Sequence, residues 1–211
     1  MTQLYLSQFL TIALVHLLAV ASPGPDFAII VRQSFRYGKT TSLWTSLGVG
    51  CGILVHVSYS ILGVGLIISR SIMLFSFIKV ICALYLLYVG IQSIQATPHN
   101  GAFACRQQGA LPTRRQAIMS GFLTNGLNPK ATLFFLSLFT VVIDHTTPVA
   151  VQVMYGLYMA VATGAWFALL SLFLGQNVVR AVLFKAGHWL ERFTGVILIL
   201  LGAELVITSH T

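Results

Sequence analysis

The chain reads as long apolar runs punctuated by short polar stretches that hold most of its lysines and arginines. Six runs can be drawn, at about 4–31, 41–68, 72–95, 116–143, 149–175 and 188–208, each near the roughly 20 residues that a helix needs to cross a bilayer. The pattern predicts an all-α integral membrane protein with six transmembrane helices. The first run is too long for one span: as a single helix it would measure roughly 42 Å at about 1.5 Å per residue, against a hydrocarbon core of about 30 Å. Inside it lies Ser22-Pro23-Gly24-Pro25-Asp26. Each proline lacks an N–H and crowds the carbonyl four residues back, so Pro23 and Pro25 release the carbonyls of Ala19 and Ala21. Freed backbone survives in lipid only against protein or a wet cavity, which predicts a discontinuous helix facing an internal site.

A second interruption, Leu127-Asn128-Pro129-Lys130, falls within the fourth run, where Pro129 frees the carbonyl of Asn125. Paired interruptions at corresponding places in two halves mark an inverted-repeat transporter with its binding site where the broken helices meet. Residues 1–211 then form a single transporter domain, with repeat one at about 1–95, a cytoplasmic connection at about 96–115 and repeat two at about 116–211. The connection is the only extended polar one, interrupted by Pro98, Asn100, Gly101, Gly109 and Pro112. Three spans per half force the second half to enter the membrane upside down. A trace of the repeat survives in Leu86-Leu87-Tyr88-Val89-Gly90 of span three and Ile199-Leu200-Leu201-Gly202 of span six. Gly48, Gly50 and Gly52 in span two, with Gly156 and Gly164 in span five, mark helices that pack closely, because small residues admit backbone contact where lipid supplies no hydrophobic drive.

Of the 211 residues 57% are hydrophobic and only 8% charged, which excludes an ordinary soluble domain. The net charge of +8 raises the question of nucleic acid, but no basic face interleaved with aromatics is present, and no nucleic-acid partner is expected. Topology accounts for the charge instead. With the amino terminus outside, the inner loops hold Arg32, Arg36 and Lys39, then Arg106, Arg114 and Arg115, then Arg180 and Lys185, and the outer loops hold little beyond Arg70. The positive-inside rule then puts both termini in the periplasm. A five-span chain with its amino terminus inside would leave one apolar run out of the membrane. Met1 to Gln3 carries no basic segment and the first run exceeds a signal peptide's core, so span one is expected to stay attached. Cys51, Cys82 and Cys105 lack metal-ligand spacing and read as structural thiols.

The helix ending in Ser22-Pro23-Gly24-Pro25-Asp26-Phe27, the span-two glycines, the Leu86-to-Gly90 run and Asn128-Pro129-Lys130-Ala131 together resemble the bacterial lysine-exporter superfamily of LysE/RhtB type. Val15-His16 ahead of the first motif is most similar to its threonine and homoserine efflux branch. The resemblance covers essentially the whole chain. It implies proton-driven export of amino acids or close derivatives across the bacterial inner membrane by a homodimer; no cofactor is expected.

The acidic residues are Asp26, Asp144, Glu191 and Glu204. An ionisable group inside the membrane costs about 3 kcal/mol by the lower estimates and marks a pathway or a partner. Asp26 is therefore the leading functional residue, while Asp144 reads as a solvated loop residue, Glu191 as a capping or pairing group at a membrane edge and Glu204 as interfacial. Lys130 opens a half-helix, where the helix dipole already places about half a positive charge, so an anion is expected beside it. Asn125 and Asn128 add donors and acceptors. His16 and His56, embedded in spans one and two, are candidates for proton relay or for hydrogen-bonded packing. No nucleophile, base and orienter set can be assembled, so an enzyme is not expected.

The expected substrate site comprises Ser22, Pro23, Gly24, Pro25, Asp26, Asn125, Asn128, Pro129 and Lys130. Lys130 and the backbone after Asn128 would take an amino acid's α-carboxylate and Asp26 its α-ammonium; a permanent Asp26 to Lys130 clamp is the structural alternative. Sparse charge favours a neutral substrate such as threonine or homoserine, since a cationic side chain would want another buried carboxylate. A thiol-redox carrier would need cysteines at the proline breaks, and a metal exporter would need grouped ligands in the membrane. A cysteine introduced at Lys39, in a background lacking Cys51, Cys82 and Cys105, is expected to resist impermeant thiol reagents in whole cells; ready labelling would overturn the six-span topology.

Overall fold

The computed structural model describes residues 2–70, 72–97, 110–144, 146–174, 188–189, 191–200 and 202–203. Among them every regular element is an α-helix: α1 (Thr2–Ala21), α2 (Pro25–Tyr37), α3 (Lys39–Arg70), α4 (Ile72–Ile94), α5 (Arg114–Gly126), α6 (Pro129–Val141) and α7 (Val149–Phe173), followed by a helical stretch at 191–200, here α8. Cys105, Arg106, Arg180, Lys185 and Glu204 lie outside the described residues, as does most of the connection between the proposed halves. Segments of α1, α3 and α7 are long and apolar enough to cross a membrane. Burial runs opposite to that of a soluble protein. Leu6, Leu10 and Leu14 along α1 are 57%, 59% and 63% exposed, whereas His16, Ser42, Thr45 and His56 are fully buried.

Both proline motifs break helices. Pro25 and Pro129 each occupy the first turn of a new helix, α2 and α6, a position where the missing N–H is one the helix would leave unpaired anyway. The extent of the first span differs from the sequence expectation. α1 alone, at 20 residues, is about 30 Å long and matches the hydrocarbon thickness by itself. α2 then continues past the apolar run to Tyr37, burying Ile30, Val31 and Gln33 while Arg32 is exposed. The first break therefore lies at the end of a full-length helix rather than midway along a span. Gly38, with φ 86° and ψ 174°, turns the chain into α3, in a positive-φ region essentially reserved for glycine that would cost another residue about 1–3 kcal/mol.

α3 is central and packs chiefly on α5 and α7. Glycines set both crossings. A β-carbon at Gly48 would fall on the Ile118 carbonyl, and one at Gly121 on the Thr45 carbonyl. Positions along α3 and α5 rise together, Gly48 with Ile118 and Gly52 with Asn125, so these helices run parallel. Against α7 the order reverses: Gly50 meets Gly164 and Val57 meets Gly156. Ser42 reinforces that antiparallel pair, its Oγ lying 2.7 Å from Ser171 Oγ and donating to the Ile30 carbonyl at 3.1 Å. α4 and α8 also cross antiparallel, with Gly90 against Ile199 and Ile94 against Gly195. The glycines singled out in the sequence thus serve packing, with one exception taken up below.

Gly121→Val is expected to destabilise the protein by about 3 kcal/mol or more, because backbone leaves the added atoms no room to relax. Gly63→Ala, with nothing within 4 Å of the added carbon, should leave detergent melting unchanged or slightly raised. Matching melting curves for the two variants would refute the close crossing.

Candidate functional site

The two breaks meet at one cavity of about 70 Å³. Ser22, Gly24, Pro25 and Asp26 reach it from the first, Asn125, Asn128 and Lys130 from the second, and His16 from less than two turns up α1. The approach is close: a β-carbon on Gly24 would sit 4.0 Å from Lys130 Nζ. Pro23 creates the break without lining the cavity, and Pro129 lines an adjoining, wider chamber of about 670 Å³. His56 stands behind Asn125, outside the lining.

Asp26 sits in the first turn of α2, where the helix's partial positive charge favours a carboxylate. Its Oδ2 accepts a hydrogen bond from Asn125 Nδ2 at 2.9 Å, and its Oδ1 is buried without a hydrogen-bond partner. Lys130, in the first turn of α6, feels the charges of both Glu191 and Asp26. Asp26 and Lys130 share the cavity without closing an ion pair among the described residues.

Asn125 joins the break to the cavity. Its carbonyl, the one that Pro129 deprives of a helical partner, accepts from Asn128 N–H at 2.8 Å and from His56 Nε2 at 2.9 Å. A carbonyl can only accept, so Nε2 carries the hydrogen and Nδ1 accepts from the Tyr59 hydroxyl at 2.6 Å. Both nitrogens of His56 are thereby engaged in holding the break. Gly52 is the glycine that does more than pack helices, since a β-carbon there would lie 2.7 Å from Asn125 Oδ1. His16 is held differently. Its Nε2 is 3.0 Å from Thr163 Oγ1, while Nδ1 is buried without a hydrogen-bond partner. Phe135 packs against both histidines, its ring centroid 6.1 Å from His16 and stacked 5.5 Å from His56.

Two readings of the sequence change here. The amino terminus of α6 is already partly capped, because Asn128 Oδ1 accepts from Lys130 N–H at 3.0 Å. The backbone after Asn128 is therefore less open to a ligand than expected, and the cation offered there is the Lys130 ammonium. Glu191, expected as a capping or pairing group at a membrane edge, lines the wider chamber together with Lys130, and its Oε2 is buried without a hydrogen-bond partner. Arg192 steadies that end of α8 by donating from Nε to the Ala96 carbonyl at 3.1 Å. Nothing in the sequence distinguished Glu191 or Thr163, since their value lies in what the fold sets opposite them. Cys51 is a free, exposed thiol on α3, Cys105 lies outside the described residues, and nothing is described of the Cys82 side chain. Among the described residues no three His, Cys, Asp or Glu side chains group as a metal site would require.

The family model described as LysE type translocator matches residues 17–209. The chain belongs to this family. It is 30% identical over 203 residues to the threonine efflux protein of Escherichia coli (strain K12), a match covering 95% of this chain and 98% of that one. Identity to the threonine efflux protein of Salmonella typhi is 29% over 203 residues, with the same coverage. An uncharacterized membrane protein of Haemophilus influenzae is 22% identical over 199 residues, 93% of this chain and 95% of the other. No solved structure matches. The LysE-type assignment and the apolar helices make this a multi-pass membrane transporter rather than an enzyme.

In this LysE-type protein His56→Gln, whose amide can still donate to the Asn125 carbonyl, should keep most of the stability and transport. His56→Leu leaves a buried carbonyl short of a donor and the Tyr59 hydroxyl without its acceptor, at about 1–3 kcal/mol, which a lowered melting temperature would register. Full stability with transport lost equally in both variants would instead mark His56 as a proton carrier.

Proposed function

We propose that this LysE-type translocator is a secondary transporter that exports a small neutral amino acid, such as threonine or homoserine, across the bacterial inner membrane in exchange for protons. One observation carries the reading. Four buried polar atoms without hydrogen-bond partners, His16 Nδ1, Ser22 Oγ, Asp26 Oδ1 and Asn125 Oδ1, belong to residues lining a single cavity that Lys130 also lines. An unpaired buried polar group costs about 1–3 kcal/mol, so a cluster of them is accounted for by a ligand or water that completes it. The acceptors Asp26 Oδ1 and Asn125 Oδ1 suit an ammonium, and Lys130 suits a carboxylate. At roughly 10–15 Å³ per water-sized group, the cavity of about 70 Å³ favours a small amino acid over a large one. The threonine efflux relatives agree with that size and charge.

In this mechanism Asp26 takes the α-ammonium and Lys130 the α-carboxylate, while Ser22, Gly24, Pro25 and Asn128 shape the space between the breaks. Before loading, Lys130 feels the charges of both Asp26 and Glu191. A proton can replace the ammonium on Asp26, which is how export would be coupled to proton entry. Six spans in two inverted halves are supported by the antiparallel glycine contacts of α3 with α7 and of α4 with α8, and by the two 13-residue half-helices that each begin at a proline. With both termini periplasmic, the chamber bounded by the end of α4 and the start of α8 faces the cytoplasm, the side from which an exporter loads.

Efflux from vesicles preloaded with each amino acid in turn tests this. Asp26→Asn and Lys130→Gln should each lower efflux at least tenfold, about 1.4 kcal/mol, at matched protein levels. The double variant Asp26→Lys with Lys130→Asp should stay inactive, because the reversed charges oppose the half-helix dipoles; near-normal efflux would establish the structural clamp instead. Undiminished efflux against a substrate gradient after collapse of the proton gradient would rule out coupling.

A further inference from the structure

An amino acid's α-ammonium and α-carboxylate occupy Asp26, Asn125 and Lys130 in the reading above and leave two unpartnered groups of the cavity, Ser22 Oγ at the break itself and His16 Nδ1 apart from it. His16 is fully buried, with Nδ1 unpartnered and the ring in the cavity wall. It lies less than two turns before Ser22 on α1, displaced along the helix from the groups that hold the backbone atoms. The walls it shares with them include Ile53, Leu86, Phe134 and Leu198, so no other titratable side chain shares the cavity with it apart from Asp26, Lys130 and Tyr85. We propose that His16, oriented by Thr163, reads the substrate's side chain and selects one that carries a hydroxyl. This rests on the export reading and adds to it the feature by which one neutral amino acid is told from another.

The pairing with Thr163 explains why a hydroxyl fits. Thr163 Oγ1 can donate to Nε2 or accept from it at their 3.0 Å separation, so rotation of that hydroxyl accommodates either neutral tautomer. Nδ1 is then either an acceptor or a donor, and a substrate hydroxyl satisfies it in both states. An alkyl group of the same size satisfies it in neither and leaves a ring nitrogen unpaired against apolar walls. Sites built to hydrogen-bond a substrate hydroxyl reject the analogue lacking it far more strongly than apolar pockets reject an added hydroxyl. A cationic side chain would find no second carboxylate in the cavity. A proton-relay role for His16 makes a different forecast, since losing a relay slows every substrate by the same factor.

The test is efflux from vesicles of two near-isosteric pairs, threonine with valine and homoserine with norvaline, read as the ratio within each pair. Wild-type protein should favour the hydroxyl member by about tenfold or more. His16→Phe, which keeps an aromatic ring beside Phe135 and Tyr158, should bring the ratio close to one, and His16→Gln should retain part of the preference. A wild-type ratio near one, or a His16→Phe ratio equal to that of wild type, overturns the assignment. Should His16→Phe fail to accumulate, the wild-type ratios together with those of His16→Gln decide. Equal export of both members sinks the side-chain reading alone, whereas failure of wild-type protein to export any of the four sinks amino-acid export and this inference with it.

Discussion

A backbone carbonyl without its helical N–H, enclosed where water is scarce, sets the terms for the centre of this fold. Pro129 creates that carbonyl at Asn125, and the structure answers it with His56 from α3 and the N–H of Asn128. The answer has requirements of its own. His56 reaches Asn125 only because α3 and α5 lie almost backbone to backbone, which depends on Gly48 and Gly121. Gly52 leaves the space that the Asn125 side chain fills, and that side chain then donates to Asp26. One missing hydrogen bond thus leads through three glycines and a histidine to a fixed carboxylate. Such a network has few independent members, because removing any one leaves a buried polar group exposed to the low local dielectric.

The two breaks are resolved unequally. At the second, Asn128 caps the new helix and His56 holds the freed carbonyl. At the first, Gly24 has no side chain to cap α2 with, and Ser22 Oγ and Asp26 Oδ1 remain without hydrogen-bond partners. The Leu18 carbonyl nearby is taken by the Thr194 hydroxyl of α8 at 3.1 Å, which ties the end of α1 to the last described helix. The second break is thereby a scaffold and the first an open surface laid against it. A site that must bind and release needs both properties, since a fully satisfied network leaves nothing for a ligand to complete.

What was legible in the sequence follows the same division. Proline reports locally which carbonyls lose a partner and where a new helix can start, so both breaks, Asp26 and Lys130 could be placed without a structure. Glycine spacing likewise reported the close crossings. The groups that answer a freed carbonyl are chosen by the fold, and residues 56 and 125 are joined by nothing in sequence. That is why sequence left His56 open between relay and hydrogen-bonded packing, where its two nitrogens are engaged at the break, and could give Glu191 a capping or pairing role without naming Lys130 as the charge beside it. The length of α2 was missed for a related reason: its last turns bury only one side, and hydropathy averaged along the chain registers such a helix as a loop.

Charge balance explains why a zwitterion is the natural occupant on the proposed mechanism. Asp26 and Glu191 carry two negative charges around the single positive charge of Lys130. A zwitterion entering between Asp26 and Lys130 supplies a partner to each and leaves the net charge of the site unchanged. A ligand whose two charges each meet an opposite charge is hard to release until one of those charges is removed. Protonating Asp26 removes the partner of the ammonium alone and leaves Lys130 to Glu191, so a proton arriving from outside would loosen one end of the substrate while the protein's own carboxylate reclaims the other.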